Sequence, residues 1–385
     1  MNFIHPSRRP ICVRCTDDHD LRTLVKNFGG ARGCAFCRGR DAPTMPFDEF
    51  VDHIRACLEA NYSKAAEELP YDSGEGGYQG WTSDTHDLLY DTIGLGLPRD
   101  ESDRLRWALV NEIGDDVWCE HDWLVLDHDA SLDSSWNEFC DITKNRRRFF
   151  FHNVNANNGR DPDQRSPIEF LHEICGYAER LGLIKSFDVG LQLYRARPRA
   201  GRERHMTPAS LGPPPPEFAT QSNRMNPPGI SMFYGADRRK LAVAETRNAR
   251  VSIGTFETTR SIRLLDLAQL PPVPGFFSNA GRRERLTLSF LHQFSNKIIQ
   301  PVARNDRVNI DYIPTQVFTE FLRDHAFRGG PIDGVRYRSA LTLPGANVVL
   351  FAGPEDVEGA TTRPWYRRDD PWLRLVSVSH LRGSV

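Results

Sequence analysis

Two groups of side chains in this 385-residue chain have types and spacings that could do chemistry. The first is four cysteines: Cys12, Cys15, Cys34 and Cys37 follow C-x2-C-x18-C-x2-C. Each pair can bite one tetrahedral cation from a turn, and four thiolates suit Zn2+. A shell closed by protein ligands has no open position, so such a zinc is structural. Small core cysteines would not explain the doubled spacing. The second group lies within residues 191–247: Arg195, Arg197, Arg224, Tyr234 and Glu245. Guanidiniums grip phosphate oxygens bidentately. A carboxylate on a helix, without a partner, needs a reason. The bland alternatives are a core tyrosine, a surface Arg197, and a helix-face ion pair between Glu245 and Arg238 or Arg239.

These residues need elements to position them. Residues 230–234 are apolar and aromatic and predict a strand ending at Tyr234. Residues 237–247 predict a helix, with Leu241 and Ala244 at helical spacing and Asp237 as N-cap. The stretch 198–228 contains Pro213 to Pro216, which excludes a helix interior or central strand and suggests a lid or binding wall. Further strands are expected at 251–257, 262–267, 334–339, 347–351 and 373–378, and helices at 281–299 and 314–327. That mixture predicts an α+β domain. Upstream, residues 46–183 predict an all-α domain. Phe47, Phe50, Val51, Ile54 and Leu58 share one helical face, and residues 100–113 form another helix. Ser135 with Glu138 marks a capping-box start, and Ser166, Pro167 and Glu169 mark another. The expected division is a zinc-binding module at 1–44, a helical domain at 45–188 and the α+β domain at 189–385.

The order Arg195, Arg224, Tyr234, Glu245, with Ser339 in DGVRYRSALTLPGANVVLF, resembles the RES family, named for an arginine, a glutamate and a serine. The segment DYIPTQVFTEFLRDHAF fits as well, and the resemblance covers residues 191–351. It implies a fold related to ADP-ribosyltransferases and a bacterial toxin or anti-phage defence effector that destroys NAD+. On that resemblance Arg195 and Arg224 grip the pyrophosphate and Tyr234 walls the nicotinamide. Glu245 holds ribose hydroxyls, and Ser339 binds substrate or positions Glu245. Gln316, Tyr337 and Asn347 are further binding candidates. Many family members place an aromatic residue after the second arginine; here it is Met225. Water, phosphate or a protein side chain as acceptor would make a glycohydrolase, a phosphorylase or an ADP-ribosyltransferase.

The helical part resembles the HEPN-type domain that precedes RES domains in some proteins. Within it NRRRFFFHN places Arg147 and His152 at the R-x4-H spacing of nuclease HEPN domains. The competing reading has Arg146 to Arg148 solvated and Phe149 to Phe151 buried. A ribonuclease with the C-terminal domain as sensor, and a zinc-bearing binding module without catalysis, therefore stand beside the NAD+ reading.

Composition excludes several classes. A formal charge of −2 gives no global pull towards nucleic acid or anionic membrane. Nucleic-acid binding rests on Arg14, Arg32, Arg38 and Arg40 alone, a modest patch. No window reaches the apolar length of a bilayer span, and MNFIHPSRRP lacks the apolar core of a secretory signal. Neither GxxxxGK[ST] nor GxGxxG occurs. The cysteine pattern suits a reducing compartment, so the cytoplasm is expected. Besides NAD+, an antitoxin or immunity protein and a second copy of the chain are the partners to look for.

Overall fold

The computed structural model describes residues 9–30, 33–74, 76–98, 103–121, 125–151, 154, 165–200, 204–300, 307–341, 343–361 and 370–382. The chain forms two compact units: Met1–His128 with Pro272–Ser289, and Asp129–Pro271 with Phe290–Val385.

In the first unit, the strand Pro10–Cys12 pairs antiparallel with Thr44–Pro46. Between them the helix His19–Phe28 starts at Asp18, whose side chain accepts from the amides of Asp20 and Leu21, and ends at Gly29 with φ +73°. Helices Phe47–Glu59 and Arg104–Ile113 follow. The face predicted for the first is buried: Phe47, Phe50, Val51, Ile54 and Leu58 pack with Leu88, Leu109, Trp118 and Phe277. This middle region is helical and also carries short strands that periodicity did not announce. Val117–Glu120 lies between Tyr62–Lys64 and Ser83–Asp84. Tyr71–Asp72 and Gly77–Tyr78 make a hairpin. These strands have two to four residues, too few for an alternation to register.

The second unit is built on an eight-stranded sheet, whose strands are numbered here in chain order. They are β1 (Ile184–Phe187), β2 (Gln192–Pro198), β3 (Phe233–Ala236), β4 (Arg250–Thr258), β5 (Ile262–Asp266), β6 (Gly334–Arg338), β7 (Ala346–Leu350) and β8 (Leu373–Arg382). The spatial order is β8-β4-β2-β3-β7-β6-β5-β1. Of the strand pairs within this sheet, among the described residues, β5 and β6 pair in parallel, with Leu264 opposite Gly334. A parallel pair needs a long crossover, and helices Arg282–Ile299 and Ile313–Asp324 lie in that connection.

Alternation along the strands separates two faces. Val335, Tyr337 and Val349 face a core with Phe290, Phe294 and Phe318. Leu193, Phe233, Phe256, Leu264, Val348 and Leu350 face another with Trp372. The first core also takes Phe139, Phe170 and Ile174 from helices His128–Asp141 and Pro167–Arg180. Those helices complete the sheet's core, so the compact division falls at residue 128 rather than near 188.

Several local expectations are corrected. Ser135 does not cap a helix but sits within His128–Asp141 and donates to the carbonyl of Ser131, at 2.8 Å. Ser166 does cap Pro167–Arg180, with Glu169 completing the box. The strand foreseen at 230–234 is Phe233–Ala236, and the following helix is Arg239–Thr246, with Arg238 rather than Asp237 at its N-cap. Asp237 is used otherwise. Its Oδ1 accepts from the amide of Ala346 at 2.8 Å, and its Oδ2 from Arg336 at 2.9 Å. Arg336 also donates to Asp266 at 2.8 Å. Burial works against this cation, but the hydrogen bond to Asp237 and the charge of Asp266 outweigh it and raise the Arg336 pKa. The resulting clasp ties the ends of β3, β5 and β6. Gly345 turns into β7 beside it with φ +118°, and a Cβ there would meet Asp237 Oδ1 at 2.6 Å.

The clasp makes Arg336→Ala costly, because two carboxylates lose their shared cation. The loss should be about 2–3 kcal/mol, somewhat below that for breaking a fully buried pair. A melt should register it as a fall of roughly 4–12 °C. An unchanged melting temperature would show that the clasp contributes nothing to stability.

Candidate functional site

A pocket of about 230 Å³ opens between β2, β3 and the helix Arg239–Thr246. Its origin lies in the sheet. β2 and β3 share a single bridging pair, Ala236 with Tyr194. In that register the next pairs would be Gly235 with Arg195 and then Tyr234 with Ala196, and neither is formed among the described residues. At the bridge Gly235 is required. A Cβ there would lie 2.8 Å from the Phe233 ring and 3.3 Å from the Tyr194 carbonyl oxygen. Where the strands part, Arg195 donates from Nη1 to the Tyr234 carbonyl at 3.1 Å. Its guanidinium also lies 5.5 Å from the centre of the Phe233 ring. A side chain thus satisfies a carbonyl next to the opening. Burial, and then the charge of Arg197, hold Arg195 down at about 10, so it is a cation at neutral pH. Arg197 itself turns away and donates to the Ser210 carbonyl at 2.6 Å.

Glu245, next to last in its helix, stands at the pocket wall. Its Oε1 accepts from Ser339 Oγ at 2.6 Å and from Asn347 Nδ2 at 2.6 Å. Among the described residues no cation pairs with it, and nothing is bonded to Oε2. Arg239 reaches Ser379 instead, at 2.9 Å. Ser339 follows β6 and Asn347 lies in β7, opposite both Tyr337 and Ala236. Strand register therefore brings together residues a hundred positions apart. Tyr337 also lines the pocket, its hydroxyl pushed up to about 12 by burial.

Tyr234 shows one flank to the pocket and is anchored at its tip. Its hydroxyl donates to Asn226 Oδ1 at 2.5 Å and accepts from the amide of Met225 at 3.2 Å. Burial is the main cause that raises its pKa above the ordinary phenol range. The segment carrying these partners is pinned by the helix Ile313–Asp324. Gln316 Nε2 donates to Ser222 Oγ and to the carbonyls of Asn223 and Asn226, at 3.0, 2.7 and 3.2 Å. Thr315 reaches the Arg224 carbonyl at 2.5 Å. Arg224 donates to the carbonyls of Ile298 and Gln300 at the end of the preceding helix. Met225 is 1% exposed and packs in the core.

The structure thus gathers Arg195, Tyr234, Glu245, Tyr337 and Asn347 around one pocket, with Ser339 hydrogen-bonded to Glu245. Arg224 and Gln316 are not among the lining residues; they hold the loop that holds Tyr234. Nor does any described residue of 198–228 line the pocket, so this stretch is a brace rather than a wall. Tyr194 and Thr246 also line it, with no sequence signal to single them out.

The four cysteines converge in the first unit. Cys12–Cys15, Cys12–Cys37 and Cys15–Cys34 have Sγ separations of 3.7, 3.4 and 3.5 Å. Zn–S bonds of about 2.3 Å put the sulfurs of a tetrahedral shell about 3.8 Å apart, so the cluster fits a zinc module. Burial and the neighbouring Cys37 raise the Cys12 thiol pKa. Phe36, between the second pair, stacks obliquely on Phe47 with centroids 4.8 Å apart.

Of the R-x4-H pair, His152 lies outside the described residues. Phe149 and Phe150 are 78% and 84% exposed and only Phe151 is buried, which corrects the expectation of a buried aromatic run. Arg146 is exposed and pairs with Glu138 and Asp141, at 3.5 and 2.8 Å. Among the described residues no helix is long and apolar enough to cross a membrane.

Family comparison agrees with this architecture. Residues 27–157 match the HEPN/RES N-terminal domain 1, and residues 192–372 match the RES domain. No curated protein and no solved structure matches the chain.

Tyr234→Phe separates the anchor from the ring. It keeps the flank that lines the pocket but leaves the Met225 amide and Asn226 without the hydroxyl, at a cost of about 1–2 kcal/mol. Hydrogen exchange at the Met225 amide should speed up accordingly. Unchanged protection would mean that the hydroxyl does not pin this loop.

Proposed function

We propose that this RES domain breaks the nicotinamide–ribose bond of NAD+ in the pocket between β2 and β3. The observation that carries the reading is the Glu245 carboxylate, held on one oxygen by Ser339 and Asn347 and, among the described residues, paired with no cation. Cleavage of a ribosyl bond passes through an oxocarbenium-like sugar, and nicotinamide leaves neutral, so no strong acid is needed. A carboxylate fixed beforehand, with its second oxygen unengaged, suits ribose hydroxyls in the ground state and the positive ring as the bond breaks. Ser339 and Asn347 are positioning residues in this scheme. Tyr234 and Tyr337 offer aromatic surface to the nicotinamide, and Arg195 offers charge to the nearer phosphate. Arg224 and Gln316 act through the loop that fixes Tyr234. A pocket of about 230 Å³ falls below the roughly 300–1,000 Å³ that encloses a drug-sized ligand, so it takes one end of the dinucleotide.

The cysteine cluster is a structural zinc site in this proposal, with Cys12, Cys15, Cys34 and Cys37 as ligands. The ion would fix two turns and supply no step of the reaction. In a cell such an enzyme acts as a toxin or defence effector on cytoplasmic NAD+ and needs an antitoxin or immunity protein to restrain it. Product analysis assigns the acceptor: ADP-ribose for water, its phosphorylated form for phosphate, a modified protein for a side chain.

Glu245→Gln should cut nicotinamide release by about 10²–10³-fold, the usual loss for one preorganised electrostatic group, while binding and melting temperature change little. Release would be measured with NAD+, and RNA would be offered separately. A fully active Glu245→Gln enzyme would remove the mechanism; RNA cleavage without NAD+ loss would replace the function.

Metal analysis should find one zinc per chain in the wild type and none in Cys34→Ser. Because metal binding free energy is folding free energy in such modules, chelation should unfold residues 10–46 before the RES domain. Zinc near zero in the wild type would sink the assignment.

A further inference from the structure

A second pocket, of about 390 Å³, lies at the ends of β3, β5 and β6. Register places it behind the first. Tyr337, Asn347 and Ala236 form one row across β6, β7 and β3 and line the first pocket. Their chain neighbours Arg336, Arg338, Ala346 and Asp237 line the second, and neighbours along a strand point to opposite faces. The two pockets stand back to back across the end of the sheet. They communicate through one hydrogen bond, since Ser339 lines the second pocket and donates to Glu245 of the first.

The second pocket holds more positive charge than the fold uses. Arg336 is committed to Asp237 and Asp266 in the clasp. Arg238 has no partner among the described residues. Arg338 donates its Nε to the Ala268 carbonyl at 3.0 Å, and among the described residues its terminal nitrogens have no partner. Three guanidiniums against two carboxylates leave one net positive charge, carried by Arg238 and Arg338, neither of which pairs with a carboxylate among the described residues. Leu341, Leu343 and Pro344 add an apolar wall. Planar guanidiniums with free terminal N–H groups match phosphate oxygens, and the apolar wall suits a heterocycle beside them.

We propose that the second pocket binds a phosphoryl-bearing anion through Arg238 and Arg338. Two sources share this chemistry. One is the adenylate half of the dinucleotide, passing round the sheet end beside Ser339, which lines the second pocket and bonds Glu245 of the first; this source rests on the NAD+ reading above. The other is free inorganic phosphate.

The full chain and an Arg238→Gln/Arg338→Gln double variant would be titrated with inorganic phosphate and with AMP by calorimetry. Steady-state rates would then be measured on NAD+ and on nicotinamide mononucleotide, which lacks the adenylate half. The variant should bind AMP or phosphate at least tenfold more weakly. If the adenylate half is the occupant, KM for NAD+ rises at least tenfold while kcat, and KM for the mononucleotide, stay within about twofold. If inorganic phosphate is the occupant, its binding is lost and KM for NAD+ is unchanged. Failure of the wild type to bind either anion, or equal binding by the variant, overturns the site. Failure of the wild type to consume NAD+ sinks the enzymatic reading instead, and the calorimetric arm still decides on the anion site. Should the double variant not fold, Arg238→Gln alone serves, because that side chain is exposed and packs against no core.

Discussion

The parting of β2 from β3 is the constraint on which the rest of the site depends. A continuous ladder would satisfy every backbone group and leave no room between the strands. Here the ladder stops after Ala236 and Tyr194, and the Tyr234 carbonyl takes its hydrogen bond from the Arg195 side chain. Arginine suits this post: it stays charged despite burial and has donors to spare for both a carbonyl and a ligand. The same residue that mends the sheet therefore charges the pocket that the gap creates. Glycine at 235 keeps the strands close at the bridge, because a Cβ there would crowd the Phe233 ring and the Tyr194 carbonyl.

Around that opening the fold spends its order on a single carboxylate. Glu245 comes from a short helix with a modest buried stripe, Leu241 and Ala242. Such a helix would not hold a side chain rigidly by itself. Its position is fixed from outside, by Ser339 and Asn347 on neighbouring strands and by the Asp237–Arg336–Asp266 clasp just upstream. Tyr234 is fixed in the same manner, through Asn226 and then Gln316. Buried polar side chains here serve geometry more than net stability, because each hydrogen bond largely replaces one made to water.

Much of this was legible in the chain and some was not, for identifiable reasons. The four cysteines announced themselves because ligand spacing is a local property. Most strands of the large sheet and the helices of its crossover were visible through patterns of five residues or more. The order of Arg195, Tyr234, Glu245 and Ser339 pointed to a shared site, but order does not fix contact. That Ser339 and Asn347 meet on one oxygen follows from the pairing of β6 with β7, which no single segment encodes. Asp237 looked like a helix cap because aspartate before a helix usually is one; the fold uses its carboxylate on Arg336 instead. Phe149 and Phe150 looked like core because aromatics usually are, yet both are exposed. The unpaired guanidinium of Arg238 and the terminal nitrogens of Arg338 in the second pocket gave no signal at all, since which donors the described residues leave unused is a three-dimensional fact.

The way Glu245 is held bears on the ionic conditions under which the site can work. Mobile ions screen charge–charge attraction over about 8 Å at physiological salt, so a carboxylate oriented by an exposed lysine or arginine would lose its aim as ionic strength rose. A hydroxyl and an amide orient this one. Neutral donors are nearly indifferent to screening, and among the described residues the carboxylate's own charge is not spent on a fixed counterion. The protein thereby separates two tasks that ion pairs usually merge. Directional aim is salt-tolerant, while the long-range field of the nearby arginines is left to vary with the salt around it.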